Sequence, residues 1–142
     1  MSPPVARVGA IPVEAEAPVG HHASMNTILI IDDHSGFRAQ ARAILEADGF
    51  TVVGEADDGR SGLAAARSIR PDVVLLDIGL PDIEGLDVAR ELAVDGPPPL
   101  VVLTSSREAS SYGPRLAASQ ALGFIAKDEL SGRAILALVN GA

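Results

Sequence analysis

Beyond residue 25 the chain alternates between short apolar runs and amphipathic stretches. The runs TILIID (27–32), TVVGEA (51–56), DVVLLD (72–77), LVVLTS (100–105) and ALGFIAK (121–127) are continuous and rich in β-branched residues. Strands buried on both faces of a parallel sheet read this way, whereas half-exposed strands alternate. Between the runs the pattern becomes helical, which predicts helices over 36–48, 60–69, 86–94, a stretch near 112–121 and a last one over 131–139. In the first helix Phe37, Ala41, Ile44 and Leu45 fall at i, i+4, i+7 and i+8 and so share one face. Gly49 stands where that helix needs a C-cap, and Gly59 and Pro71 bracket the second.

Repeated strand-helix units predict an α/β fold, a doubly wound five-stranded parallel sheet. Right-handed crossovers then place helices on both faces, and five units suit the flavodoxin-like strand order 2-1-3-4-5. Residues 1–25 have a different character: prolines at 3, 4, 12 and 18 interrupt any regular element. They are expected to be a disordered N-terminal extension, with 26–142 as the folded domain. Met25 directly precedes the first strand and reads as an alternative start. The adjacent His21 and His22 of this tail read as a bland pair and not as a metal site.

The 142 residues include 47% hydrophobic and 21% charged side chains, with no Trp, one Tyr and three Phe, so Val, Leu, Ile and Ala must fill the core. With 19 acidic against 11 basic residues the net charge is -8. Nucleic-acid binders draw much of their affinity from Lys and Arg on phosphates, so no direct nucleic-acid contact is expected. The absence of cysteine excludes a disulfide framework, a thiolate metal site and a Cys nucleophile. No apolar run approaches the roughly 18 residues of a membrane span, and no secretory pattern opens the chain, so a cytoplasmic protein is expected.

In an open parallel sheet the site lies at the carboxyl ends of the strands. Strand one ends in Asp32-Asp33, strand three in Asp77, strand four in Thr104-Ser105, and strand five leads into Lys127. In the order 2-1-3-4-5 strands one and three are neighbours, which would crowd three carboxylates. Like charges at that spacing raise one another's pKa, and a hard divalent cation relieves the repulsion. Mg2+ takes one or two carboxylates, retained waters and a phosphate oxygen, so the cluster points to a Mg2+ site open to a phosphate-bearing partner. Lys127 can offset the charge of an acyl phosphate and Thr104 can donate to one of its oxygens. Singly, each residue is more often a turn, a cap or solvated surface. Together, acid, acid, hydroxyl and amine at four strand ends make a constellation for phosphorylating a carboxylate.

The blocks ILIIDDHSGFR, VVLLDIGLPDIEGLDVAREL, VVLTSS and GFIAKDEL resemble, in order and spacing, those of bacterial response-regulator receiver domains, over roughly residues 26–140. The resemblance implies a two-component phosphorelay protein in which Asp77 accepts a phosphoryl group from a sensor histidine kinase or phosphotransfer protein. It further implies Asp33 as a direct Mg2+ ligand, Asp32 as a helper through water, and the Gly79 carbonyl as another ligand. Thr104 and Lys127 take the places of the switch hydroxyl and the phosphate-contacting lysine, and Phe124 that of the switch aromatic. Such a protein is a phosphoacceptor that phosphorylates and dephosphorylates itself, not an enzyme acting on a separate substrate.

Two departures from the family pattern stand out. Asp128 follows Lys127 where many receivers have Pro, and a cis bond there would cost about 2.5–4 kcal/mol. This lysine-aspartate pair resembles receivers attached to a LuxR-type helix-turn-helix domain, yet none follows. Second, Phe124 lacks a hydroxyl, so its rotation would be read as packing. The expectation is a stand-alone receiver that signals by phosphorylation-dependent binding of an unknown downstream protein, with a homodimer through the fourth helix, fifth strand and fifth helix. Alternatives are a non-phosphorylatable pseudo-receiver and a regulator that has lost its DNA-binding domain. A phosphatase of haloacid-dehalogenase type would need a second Asp two residues after the nucleophile, where Gly79 stands.

Overall fold

In the computed structural model, residues 26–94 and 96–141 are described. The extension expected over 1–25, with its His21-His22 pair, lies outside the described residues. The elements run β1 (Thr27–Ile31), α1 (Ser35–Ala47), β2 (Thr51–Ala56), α2 (Gly59–Ile69), β3 (Val73–Asp77), α3 (Gly85–Val94), β4 (Leu100–Ser105), α4 (Arg115–Ala118), β5 (Gly123–Ala126) and α5 (Gly132–Asn140). All neighbouring strands are parallel, in the order β2-β1-β3-β4-β5. This is the doubly wound topology the alternating pattern predicts.

Side-chain alternation along each strand divides the core into two layers. Leu29, Ile31, Val74, Leu76 and Leu103 meet Leu63, Ala66, Leu86, Val88 and Leu92 on the face covered by α2 and α3. Ile28, Ile30, Val73, Leu75 and Val102 meet Ala41, Leu45, Ile135 and Val139 on the face covered by α1 and α5. β3 is buried at every position, as its uninterrupted VVLLD requires. Three of the four residues expected on one face of α1 join the core, Ala41 and Leu45 fully buried and Phe37 packed against the same layer, whereas Ile44 is only half-buried. Gly49 follows that helix at φ +98 and donates to the Glu46 carbonyl, a left-handed cap that glycine adopts at little cost.

The fourth helix departs from the expected 112–121. A 3-10 turn at Ala109–Ser111 is followed by one α turn at Arg115–Ala118. Gly113 at φ +57 and Pro114, which has no N–H, break the earlier turn. Downstream, the buried Ser119 hydroxyl donates to the Leu116 carbonyl at 2.6 Å, and Gln120 at φ +66 ends the helix. Among the described residues no peptide bond is cis, so the Lys127–Asp128 bond is trans and opens a 3-10 turn at Lys127–Glu129. No helix among the described residues is long and apolar enough to cross a membrane.

The loops at the carboxyl edge are tied to one another. Asp82, between β3 and α3, accepts hydrogen bonds from the backbone N–H groups of Gly59 (2.7 Å) and Arg60 (2.9 Å) at the start of α2. Asp58 accepts from Ser61 (2.8 Å), so two carboxylates satisfy three otherwise orphaned donors of one helix end. Gly85 folds back to donate to the Ile78 carbonyl at 2.8 Å.

Candidate functional site

The strand ends meet at one place on the carboxyl edge of the sheet. Asp32 follows the last residue of β1, and its N–H donates to the Ala56 carbonyl on β2 at 2.9 Å. Asp77 closes β3 and stands in register with Thr104 on β4. Asp32 and Thr104 are fully buried and Asp77 is 4% exposed, whereas the Asp33 side chain opens to solvent. The carboxylates of Asp32, Asp33 and Asp77 gather with an imidazole nitrogen of His34, all within 4.8 Å of one another.

Lys127 comes from the far side of the sheet. Its ammonium nitrogen lies 2.7 Å from Asp32 Oδ2 and 3.6 Å from Asp77 Oδ2. It also lies 3.5 Å from His34 Nδ1 and 4.6 Å from the centroid of the Phe37 ring. The imidazole in turn sits 3.2 Å from both Asp32 Oδ1 and Asp33 Oδ1. Two buried acids thus face one ammonium, while Asp33 stands on the solvent side against the imidazole.

The electrostatic consequence falls on Asp77. Burial is the main reason that its carboxyl is pushed above the ordinary carboxylate range, and the negative charge of Asp32 adds to the effect. The Gly79 N–H, donating to Asp77 Oδ1 at 3.1 Å, and the Lys127 ammonium pull the other way. The imbalance leaves room for a further positive group. The Thr104 hydroxyl is buried without a hydrogen-bond partner. A buried hydroxyl left unpaired costs about 1–3 kcal/mol, and such groups mark places where an unseen partner belongs.

The donor set suits a hard divalent cation. Carboxylate oxygens converge, two of the three acids are buried, and Asp33 stays open on the solvent side. Oxygen ligands with room for retained waters are what Mg2+ takes. Gly79 is adjacent: a Cβ built there would lie 3.9 Å from Asp77 Oδ1. Phe124, on β5, is partly buried in the α2–α3 layer, its ring centroid 6.4 Å from that of Tyr112.

Several residues in or beside the site were not singled out by the sequence reading for these roles. His34 reads as an ordinary residue at a helix start, although its position directly after Asp33 was a usable signal. Arg38 donates to the Asp32 carbonyl at 2.6 Å and to Glu55 Oε1 at 3.0 Å, which fixes the end of β1 against β2. Arg42 completes that arrangement, and its hydrogen bond lowers the pKa of Glu55. Tyr112 joins hydroxyls with Ser105 at 2.6 Å, so a phenol does stand beside β4, from a loop and not from the Phe124 position.

Comparison with known proteins points one way. Residues 28–140 match the family described as the response regulator receiver domain. The virulence-factor transcription regulator BvgA of Bordetella pertussis is 41% identical over 104 residues, which are 73% of this chain and 50% of BvgA. The response regulator GacA of Pseudomonas viridiflava is 38% identical over 104 residues, 72% of this chain and 49% of GacA. The chain thus spans about half the length of these curated relatives. Among solved structures, the signal receiver domain of the response regulator NarL from Mycobacterium tuberculosis superposes with a TM-score of 0.75 at 31% identity, covering 82% of this chain and 98% of that one.

Proposed function

This chain belongs to the response regulator receiver domain family, and from that premise we propose that it takes a phosphoryl group on Asp77 and reports the modification through a change of shape. The observation that carries the reading is the meeting of a buried carboxylate, an ammonium and an orphaned hydroxyl at adjacent strand ends. Binding, orientation and charge balance are the contributions a protein makes to phosphoryl transfer.

The donor is a phosphohistidine of a sensor histidine kinase or phosphotransfer protein. A carboxylate oxygen of Asp77 attacks phosphorus; the new P–O bond forms as the P–N bond breaks, and the electron pair stays on the imidazole nitrogen. Asp33 and Asp77, with Asp32 acting through water and the Gly79 carbonyl, would hold a Mg2+ ion. Bound there, the ion supplies positive charge against the phosphoryl oxygens. Lys127 stands 3.6 Å from Asp77 Oδ2 and shifts from Asp32 toward the incoming group. Thr104 gives its free hydroxyl hydrogen to a phosphoryl oxygen.

The modification adds about -1.5 to -2 charges and three acceptor oxygens. Drawing Thr104 and Lys127 inward vacates space on the α4 side, and Phe124 moves to fill it. The face made of α4, β5 and α5 changes shape and is read by a protein partner or by a second copy of the chain, in the cytoplasm. This is a population shift biased by one local charge event. Phosphotransfer profiling tests it: the purified chain is offered to radiolabelled histidine kinases. Rapid labelling by one kinase, lost in Asp77→Asn, supports the reading; no labelling by any active kinase counts against it.

A second reading is favoured by the length of the relatives. The chain covers about half of BvgA and GacA, and BvgA carries the name of a transcription regulator. On this reading the receiver belongs to a regulator with a DNA-binding half. An in-frame helix-turn-helix segment directly downstream in the genome supports it, and its absence counts against it.

A further inference from the structure

We propose that Phe37 is a positioning residue for phosphoryl transfer: its ring face holds the Lys127 ammonium over Asp32 and Asp77. The proposal rests on the reading of Asp77 as phosphoacceptor and names a residue that this reading does not require.

Phe37 lies in the first turn of α1, and its ring packs against the layer of core beneath α1 and α5. The ring is therefore anchored. The Lys127 nitrogen stands 4.6 Å from its centroid, inside the roughly 6 Å over which a cation is attracted to an aromatic face. The Lys127 side chain is only 13% exposed, so the ammonium has little competing water. Its remaining neighbours are Asp32 at 2.7 Å, His34 at 3.5 Å and Asp77 at 3.6 Å.

Lysine carries a compact charge on a flexible four-carbon stem, and the ion pair with Asp32 holds the ammonium from one side only. A carbonyl or carboxylate in the place of Phe37 would restrain it by a directional hydrogen bond. That bond would occupy one of the three ammonium donors and add a second fixed acceptor beside Asp32. The ring attracts through its quadrupole and demands no proton. It keeps the ammonium over the carboxylates while leaving it free to slide from Asp32 toward a group on Asp77.

The test replaces Phe37 alone, by amber suppression, with mono-, di- and trifluorinated phenylalanine, which drains charge from the ring face at nearly constant shape. With Mg2+ and acetyl phosphate, the initial rate of adduct formation is expected to fall stepwise, by roughly three- to tenfold at three fluorines, with the melting temperature unchanged. In a Lys127→Met background the same series should be flat. Independently of any phosphorylation, the Lys127 Hε protons should show an upfield ring-current shift in the unmodified chain, lost in Phe37→Leu. Equal rates across the series in the native background, or unshifted Hε protons, would overturn the proposal. A native chain that forms no adduct but keeps the ring-current shift would instead count against Asp77 as phosphoacceptor.

Discussion

Thr104 is the register partner of Asp77 on adjacent parallel strands, and its hydroxyl is buried with nothing to bond. In the resting protein this group is a cost, as expected of a hydroxyl whose partner arrives in another state. Thr104→Val removes the orphan while keeping the shape. Its resting fold is expected to be more stable by about 1 kcal/mol, within the range for an unsatisfied buried hydroxyl. Urea denaturation checks the gain. The same variant should lose the conformational response to phosphorylation, so a gain in resting stability goes with a loss of switching.

Asp77→Asn should also stabilise the resting chain at neutral pH. Burial and the charge of Asp32 raise the Asp77 pKa, so the folded protein binds a proton more readily than the unfolded one. By linkage, stability then falls as pH rises through the window from the ordinary carboxylate pKa up to the raised one. Asn carries no charge and escapes that loss. Melting curves without metal should show the variant a few degrees above the parent at neutral pH, the gap closing as pH drops below the window. Added Mg2+ should lift the parent more than the variant.

Asp82 predicts the opposite sign. Its own desolvation works upward, but the N–H groups of Gly59, Arg60 and Ile83 outweigh it and lower its pKa. A depressed pKa contributes stability above the ordinary carboxylate range that is lost as pH falls through the folded value. Asp82→Ala should lower the melting temperature modestly at neutral pH, through the lost backbone hydrogen bonds to an exposed carboxylate, and parent and variant should converge in acid. Hydrogen exchange should show faster opening at the start of α2.

Gly85 cannot carry a side chain. A Cβ there would lie 2.2 Å from the Asp77 carbonyl oxygen and 2.7 Å from the Ile78 Cα, both backbone atoms. Gly85→Ala should therefore cost about 2–3 kcal/mol or more, at the upper end for overpacking, because no flexible side chain can yield. Denaturation measures the loss, and the displaced Asp77 should take phosphate more slowly even where the variant is folded.

These sites show how much the sequence discloses. Apolar runs ending in Asp32, Asp77 and Thr104 made the sheet order and most of the site legible, because strand ends of a doubly wound sheet must converge. What stayed hidden depends on side-chain direction. Phe37 counted as core because its spacing fits the buried face of α1; nothing in the period shows that its ring also meets Lys127. The role of Asp82 has no signature along the chain, since its partners lie on another helix. The helix expected near 112–121 shrinks to one α turn because Gly113 and Pro114, not the apolar spacing, decide the local backbone.

The most direct measurement is the intact mass of the purified chain after incubation with Mg2+ and acetyl phosphate. One added phosphoryl group in the parent, absent in Asp77→Asn and absent when the metal is chelated, is the predicted result. An unchanged parent mass, or an adduct that persists in Asp77→Asn, would contradict the account.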